Sequence, residues 1–143
     1  MSPTPPTSLE VGIVVRNLEA TTRFYRDGLG LRHVADLPLP LGLQRRFACG
    51  GGILKLMQLS EAPTMANPPG GLRGGSTGLR WFSFRVSGIE KVIERCLAAG
   101  GSVASPLETW RDLKVVVLED PEGSCWVELT ERGEQHSDRQ NTH

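Results

Sequence analysis

The sequence has few of the residues that build covalent frameworks or metal centres. Its 143 residues include only three cysteines, Cys49, Cys96 and Cys125, which are widely spaced and form no CxxC motif. An odd number of scattered cysteines argues against a disulfide framework and against a zinc site. Reduced thiols in a cytoplasmic protein are the expectation that follows.

Histidine is equally scarce. Two of the three histidines, His136 and His143, belong to the polar C-terminal stretch, and residues 132–143 are predicted to form a disordered tail. His33 is the one that remains within the folded part. A single histidine is more often an ordinary surface or core residue than a catalytic one.

The chain also lacks an excess of charge of either sign and a long apolar run. Lys plus Arg equals Asp plus Glu at 16 each, so the formal net charge is zero and gives no indication of a nucleic-acid partner. No apolar run is long enough to span a bilayer. The opening residues 1–8, "MSPTPPTS", are polar and rich in proline, unlike a signal peptide, and are predicted to be flexible. The length predicts one domain, over residues 9–131.

Two stretches each predict a strand followed by a helix. In "LEVGIVVRNLEATTRFYRDGLG", a β-branched run leads to Asn17, a good N-cap, and a helix is predicted from Leu18 to Asp27. In "LRWFSFRVSGIEKVIERCLAAGG", a strand is predicted over 79–86. Ser87 and Glu90 then have the S-x-x-E spacing of a capping box, ahead of an amphipathic helix.

The two stretches begin two copies of one unit. Each predicted helix is followed by three strand-like runs, at 32–36, 44–49 and 52–59 in the first half and at 102–104, 113–119 and 125–130 in the second. We therefore predict two βαβββ modules, over 9–60 and 78–131, joined by a Gly/Pro-rich linker over 61–77. Superposing them pairs Glu10 with Trp81 and Lys55 with Glu128.

The repeat resembles the vicinal oxygen chelate superfamily, which includes glyoxalases, extradiol dioxygenases and bleomycin-resistance proteins. "VGIVVRNLEATTRFYRDGLGL", "LRWFSFRVSGIEKVIERCLAAGG" and "VVVLEDPEGSCWVEL" carry the resemblance, and "EDPEG" resembles the turn before the family's last strand. The resemblance implies an α+β fold, in which the two modules curl their mixed sheets into a cup. It also implies a homodimer.

The resemblance further implies where a divalent metal would be held. In the family, each module supplies one ligand from its first strand and one from its last, which here are Glu10, Trp81, Lys55 and Glu128. The Trp81 indole and the Lys55 ammonium can only donate hydrogen bonds. We therefore expect no cofactor, with a metal held by Glu10 and Glu128 as the alternative.

Lys55 interrupts the apolar strand "ILKLMQL". Strand alternation leaves open whether it faces outer solvent or the cup, but its equivalence to Glu128 favours the cup. A lysine between Glu10 and Glu128 would hold both carboxylates ionised. Either it only neutralises them, or these three residues contact a ligand, with Lys55 as donor and a glutamate as base in a catalytic version.

Other side chains are candidates for the cup wall or its cover. Trp81 would stack on a planar ligand, and Arg85 would bind a carboxylate or phosphate. Further ligand-binding candidates are Ser83, Met57, Phe47 and Trp126. The apolar loop predicted over 36–43, together with Trp110 and the linker, could cap the mouth.

Two functions remain open on the sequence. The first is a small-molecule-binding module that holds a planar or hydrophobic ligand in a metal-free cup. The second is an enzyme of the same superfamily, such as a glyoxalase-like or epimerase-like lyase or isomerase, or a dioxygenase. A metal-independent version would use Lys55, Glu10 and Glu128.

Overall fold

The computed structural model describes residues 2–123 and 125–133. Two sheets of four strands each are present, in the orders β1-β4-β3-β2 and β5-β8-β7-β6. Within the described part of the chain, no helix is long and apolar enough to cross a membrane. The strands are β1 (Glu10–Val14), β2 (Arg32–Leu39), β3 (Gly42–Cys49), β4 (Gly52–Leu59), β5 (Trp81–Arg85), β6 (Ser102–Trp110), β7 (Leu113–Glu119) and β8 (Trp126–Arg132).

The two sheets confirm the predicted repeat and the α+β fold class. In each module the first strand pairs in parallel with the last, and the other pairings are antiparallel. Each first strand leads directly into a helix, α1 (Leu18–Thr22) or α2 (Ile89–Ala98). Of the predicted tail, Arg132 ends β8, while residues 134–143 lie outside the described residues.

The prediction of a loop over 36–43 is wrong, because most of these residues form paired strands. Residues Asp36 to Leu39 of β2 pair with Gly42 to Arg45 of β3, so the chain turns only at Pro40 and Leu41. Proline is tolerated here because β2 is an edge strand, where a missing N–H removes no ladder bond from a further strand. The hairpin therefore extends the first sheet.

The first helix begins as predicted and continues in another form. Asn17 Oδ1 accepts the Ala20 N–H at 3.0 Å, which confirms the N-cap. After Thr22 the chain widens into a π-helical segment, Arg23–Gly28. Phe24 and Tyr25 in this segment are fully buried.

The capping box predicted for the second helix is wrong. The N-cap is Gly88, in a left-handed conformation and with no side-chain cap. The Glu131 carboxylate, on the neighbouring β8, accepts the N–H groups of Gly88 and Ile89 instead. Glu90 instead forms an ion pair with the Lys114 ammonium, whose Nζ lies 2.6 Å from Glu90 Oε1. A tertiary contact thus takes the place of the local cap.

One hydrophobic core serves both modules. It lies on the helix-facing side of the two sheets and includes Ile13, Phe24, Tyr25, Phe47, Leu54, Leu56, Ile89, Val92, Cys96, Val116, Leu118, Val127 and Leu129. The Tyr25 ring stacks on Phe82 of β5 at 6.5 Å between centroids, and its hydroxyl donates to Asp120 Oδ2 at 2.7 Å. The first module's helical segment is thereby fixed to the second sheet.

Residues in and next to β1 and β5, the edge strands of the two sheets, border two common cavities. Leu9 and Val11 share a cavity of about 350 Å³ with Phe82 and Phe84 of β5. The other end of β1 shares a cavity of about 550 Å³ with Leu79, just before β5. The first strand of each sheet, or a residue next to it, therefore contributes to both cavities.

The linker is docked onto the second module. The buried Arg80 donates to the backbone carbonyl oxygens of Pro68 and Gly71. The linker carries a short 3₁₀ turn, Gly71–Arg73, and the Trp126 ring packs so closely on Gly71 that a Cβ there would lie 2.2 Å from Trp126 Cδ2. Residues 61–77 are thus more than a spacer.

Candidate functional site

The side of each sheet that faces away from the helices carries the candidate site, and we call it the cup face. In β4 it alternates with the core, since Leu54 and Leu56 are buried whereas Lys55 between them has a side chain that is 30% exposed. The cup face also includes Glu10, Gly12 and Val14 of β1, Arg46 of β3, Met57 of β4, Trp81, Ser83 and Arg85 of β5, and Glu128 of β8.

Three charged side chains form a cluster on the cup face of the first sheet. Glu10 Oε1 lies 2.9 Å from Lys55 Nζ and 3.3 Å from an Arg46 guanidinium nitrogen. Lys55 and Arg46 are directly opposite each other in the β3–β4 ladder, a placement that is unfavourable for like charges. The Lys55 ammonium, followed by the Arg46 guanidinium, lowers the pKa of Glu10, so the carboxylate stays ionised between them.

Gly12 opens the space beside this cluster. It pairs with Lys55 in the β1–β4 ladder, and a Cβ added to it would meet no atom within 4 Å. A glycine inside a strand often marks a place where another molecule approaches the backbone closely. The Lys55 side chain is therefore accessible across Gly12.

The same glycine borders the cavity at the end of β1. About 550 Å³ in volume, this cavity is enclosed by the end of β1 and by the linker, with Gly12, Val14, Leu59, Met65, Leu79 and Cys125 among its walls. Volumes of this size are typical of small-molecule pockets. Burial raises the pKa of the Cys125 thiol, so this wall residue is a poor nucleophile.

The cup face of the second sheet carries a carboxylate, a hydroxyl and an aromatic ring. Ser83 Oγ donates to Glu128 Oε1 at 2.6 Å across the β5–β8 ladder. Trp81 is 43% exposed, which is high for so large an apolar side chain, and Arg85 at the end of β5 is exposed too. Trp81 and Arg85 are thus accessible to a ligand.

The structure brings together some of the predicted site residues. Lys55 pairs with Glu10, whereas Glu128 bonds to Ser83, and no ion pair in residues 2–123 and 125–133 joins Lys55 to Glu128. Met57 lies half-buried on the cup face, opposite Val14. Half of the predicted charge arrangement is therefore present within one chain.

Two of the predicted wall residues do not line the open cup face. Phe47 is fully buried in the core, because alternation along β3 puts it on the opposite face from Arg46. Trp126 is only 9% exposed, because the linker backbone at Gly71 covers its ring. Trp110, a predicted cap, lies at the β6–β7 turn under the Arg111 guanidinium, 4.7 Å from its ring centroid.

His33 lies on the helix-facing side of the first sheet. Its Nε2 is 2.7 Å from Asp36 Oδ1, and the same carboxylate accepts hydrogen bonds from Arg45. The His33 ring packs near Phe47, with 5.6 Å between centroids. These contacts are those of an ordinary structural histidine.

The four positions that the resemblance assigns to metal ligands do not fit a divalent ion. Lys55 and Trp81 offer only donors, and Glu10 already accepts from two cations. Across the described ranges, no group of three or more His, Cys, Asp or Glu residues is placed to hold a metal ion. Structural divalent sites usually require three or more protein ligands.

Sequence reasoning missed Arg46 and the linker residue Met65 as parts of this site. Arg46 precedes Phe47 in "QRRFAC", and a correct assignment of Phe47 to the core would have placed Arg46 on the cup face. The position of Met65 depends on the docking of the linker, for which the local sequence holds no signal.

Solved structures with the same fold come from several bacteria. A glyoxalase family protein from Bacillus cereus matches with a TM-score of 0.78 and 16% identity, over 93% of this chain and 99% of that chain. A glyoxylase/bleomycin resistance protein/dioxygenase domain from Frankia sp. EAN1pec matches with a TM-score of 0.70 and 17% identity, over 97% and 99%. TioX from Micromonospora sp. ML1 matches with a TM-score of 0.63 and 19% identity, over 89% and 99%.

These likenesses show the fold alone, and no curated protein matches the sequence. The family is shown by the sequence itself. The family model described as the Glyoxalase/Bleomycin resistance protein/Dioxygenase superfamily matches residues 8–134, nearly the whole described chain. With its paired βαβββ modules, the chain belongs to this superfamily.

Proposed function

We propose that the protein binds a planar or hydrophobic small molecule on the cup face and in the adjoining cavity, without a divalent metal at the four equivalent positions. Proteins of this superfamily bind small molecules. The observation that carries the proposal is the Lys55–Glu10 ion pair of 2.9 Å, which puts an ammonium at a position where the family has a metal ligand.

The surroundings of that ion pair support a binding role. The cavity beside Gly12 has room for a drug-sized molecule, and its walls include the apolar side chains of Val14 and Leu79. Val14 is 49% exposed and Leu79 57% exposed, so the apolar walls of the cavity are open to a ligand. A hydrophobic ligand would cover both.

Mass spectrometry of small molecules released from protein purified from its native host tests this proposal. We expect a co-purified organic compound that is lost in the Val14→Lys variant. Metal analysis of the same protein should find well below one metal ion per chain. Near-stoichiometric metal that Glu10→Gln and Glu128→Gln remove would overturn the metal-free part. A protein that carries no compound and binds none from a screened library would overturn the binding role.

A second candidate is an enzyme of the same superfamily that works without a metal. The contact that favours it is the 2.6 Å hydrogen bond from Ser83 Oγ to Glu128 Oε1, since Glu128 keeps its second oxygen for a substrate proton. In this version Glu128 or Glu10 acts as base and Lys55 stabilises the developing oxyanion. Turnover of a compound identified by co-purification, abolished in Glu128→Gln and in Lys55→Met, would establish it.

We also propose a cytoplasmic homodimer in which a second copy covers part of the cup face. The exposed Trp81 supports the dimer, and the absence of disulfides among the three cysteines supports the reducing compartment. Sedimentation equilibrium is expected to give twice the chain mass for the wild type and a weaker dimer for Trp81→Glu. A monomer at all concentrations would contradict the dimer.

A further inference from the structure

We infer that Lys55 and Arg46 form an anion-binding subsite, so that the ligand carries a carboxylate or comparable acidic group attached to an apolar body. This inference rests on the proposed binding function and specifies the chemical class of the ligand. It is carried by the charge of the Glu10–Lys55–Arg46 cluster, by the open space at Gly12, and by the apolar cavity that begins there.

The cluster keeps a net positive charge. Two cations stand opposite each other on adjacent strands, and the one carboxylate that bridges them compensates only one of them. Because the cations lower the pKa of Glu10, it remains ionised at neutral pH and the net charge stays at one positive unit. A stabilising role alone would not require the second cation, which is unfavourable opposite the first.

The cluster also keeps hydrogen-bond donors for a ligand. An ammonium has three N–H donors and a guanidinium five. In the described chain, Lys55 contacts Glu10, and Arg46 contacts Glu10 and Gln44, which leaves donors on both groups. A carboxylate or sulfonate would accept from both, as charge-assisted hydrogen bonds to acidic groups commonly do.

Gly12 joins the cluster to the cavity. Its position opposite Lys55 leaves the approach to the ammonium open, and it is itself a wall of the 550 Å³ cavity. An acidic group placed above Gly12 would reach Lys55, while the body of the same molecule would lie against Val14, Leu59 and Met65. Arg16 also borders the cavity, with its Nε donating to the Pro63 carbonyl, so it is the competing anion partner that the experiment must separate from Lys55 and Arg46.

A pair of fluorescent probes that differ in charge tests the inference on the intact protein. 8-Anilinonaphthalene-1-sulfonate carries a sulfonate, and N-phenyl-1-naphthylamine has the same aromatic body without it. Each is titrated into the wild type, Lys55→Met, Arg46→Met, Gly12→Val and Arg16→Met. Lys91→Met removes a lysine from the exposed face of α2 and is the matched control for charge.

We expect the sulfonate to bind with one site per chain, and its Kd to rise by about tenfold or more in Lys55→Met and in Arg46→Met. The Kd of the neutral probe should change little in both, Gly12→Val should weaken both probes, and Lys91→Met should affect neither.

Three outcomes contradict the inference in distinguishable ways. If Lys55→Met and Arg46→Met leave the Kd of the sulfonate unchanged while Gly12→Val weakens both probes, the anion subsite is refuted and the binding function stands. If Arg16→Met alone weakens the sulfonate, the acidic group lies at the other end of the cavity and the inference is wrong. If Gly12→Val affects neither probe, both the inference and the proposed function fail.

Discussion

Removal of the Tyr25 hydroxyl tests most directly how the two modules are held together. It donates to Asp120 Oδ2 at 2.7 Å, and both side chains are buried, with Tyr25 0% and Asp120 3% exposed. The other oxygen of Asp120 accepts the N–H groups of Glu122 and Gly123 at 2.9 Å each. Tyr25→Phe removes one donor and keeps the ring that packs on Phe82.

The expected loss follows from the charge of the acceptor. A hydrogen bond to a charged group contributes about 1.5–3 kcal/mol, and a buried carboxylate left with an unsatisfied oxygen is at the upper end. We therefore expect the free energy of unfolding of Tyr25→Phe to fall by about 2 kcal/mol at neutral pH. Little of this is lost packing, because the substitution removes only the oxygen.

The pH dependence identifies the cause. Burial raises the pKa of Asp120, while the Tyr25 hydroxyl and the two N–H groups lower it. A carboxyl whose pKa is raised on folding contributes stability below its unfolded pKa, and this contribution is lost as the pH rises through the folded pKa. Without the hydroxyl the folded pKa rises further. The deficit of Tyr25→Phe should therefore be largest above the folded pKa of Asp120 and should shrink as the pH falls through it.

Urea unfolding of the wild type and Tyr25→Phe across the acid-to-neutral range measures this deficit. Asp120→Asn supplies the control background, in which Tyr25→Phe should cost about 1 kcal/mol or less and show no pH dependence. A deficit of equal size at every pH in the wild-type background would refute the reasoning, since packing and not the carboxylate would then be its source.

Further predictions concern the linker and the thiols. Gly71→Ala should reduce the free energy of unfolding by about 1–3 kcal/mol more than Gly75→Ala, because both glycines have a positive φ but only the Cβ at 71 overlaps Trp126; equal losses by denaturant titration would contradict the docked linker. With Ellman's reagent at pH 8, the exposed Cys49 should react fast and Cys96 slowly, since burial raises the pKa of Cys96 to about 11. Cys49→Ser should remove the fast phase, and a fast phase that survives would contradict the burial of the remaining thiols.

The fold was predictable because its signals are local and occur twice. Strand runs, helix periodicity and Asn17 as a cap are read from a few neighbouring residues, and the strand–helix order of the first module recurs in the second. The cap of α2 was not predictable in this way, because Glu131 reaches it from a strand 43 residues away from Gly88. The docking of Arg80 onto linker carbonyls could not be predicted either, because it is also a tertiary contact.

The candidate site was predictable only in part, because its membership depends on strand register. Equivalence across the repeat put Lys55 on the cup face, where the structure has it. Phe47, a wall candidate from the sequence, lies in the core, and its neighbour Arg46 is the residue of β3 on the cup face. Which residues lie opposite each other depends on the register of neighbouring strands, and the sequence alone did not specify the register of β3 against β4.

Register also brings Glu10 between two cations in a site that does not fit a metal. In the family the ligand positions surround a divalent cation, which carries two positive charges. Lys55 and Arg46 carry the same formal charge on side chains held directly opposite each other, and Glu10 bridges them. Unlike a metal ion, these cations have no open coordination position and do not turn a bound water into hydroxide. They can hold an acidic group and stabilise negative charge, and that chemistry is what we propose the cup retains.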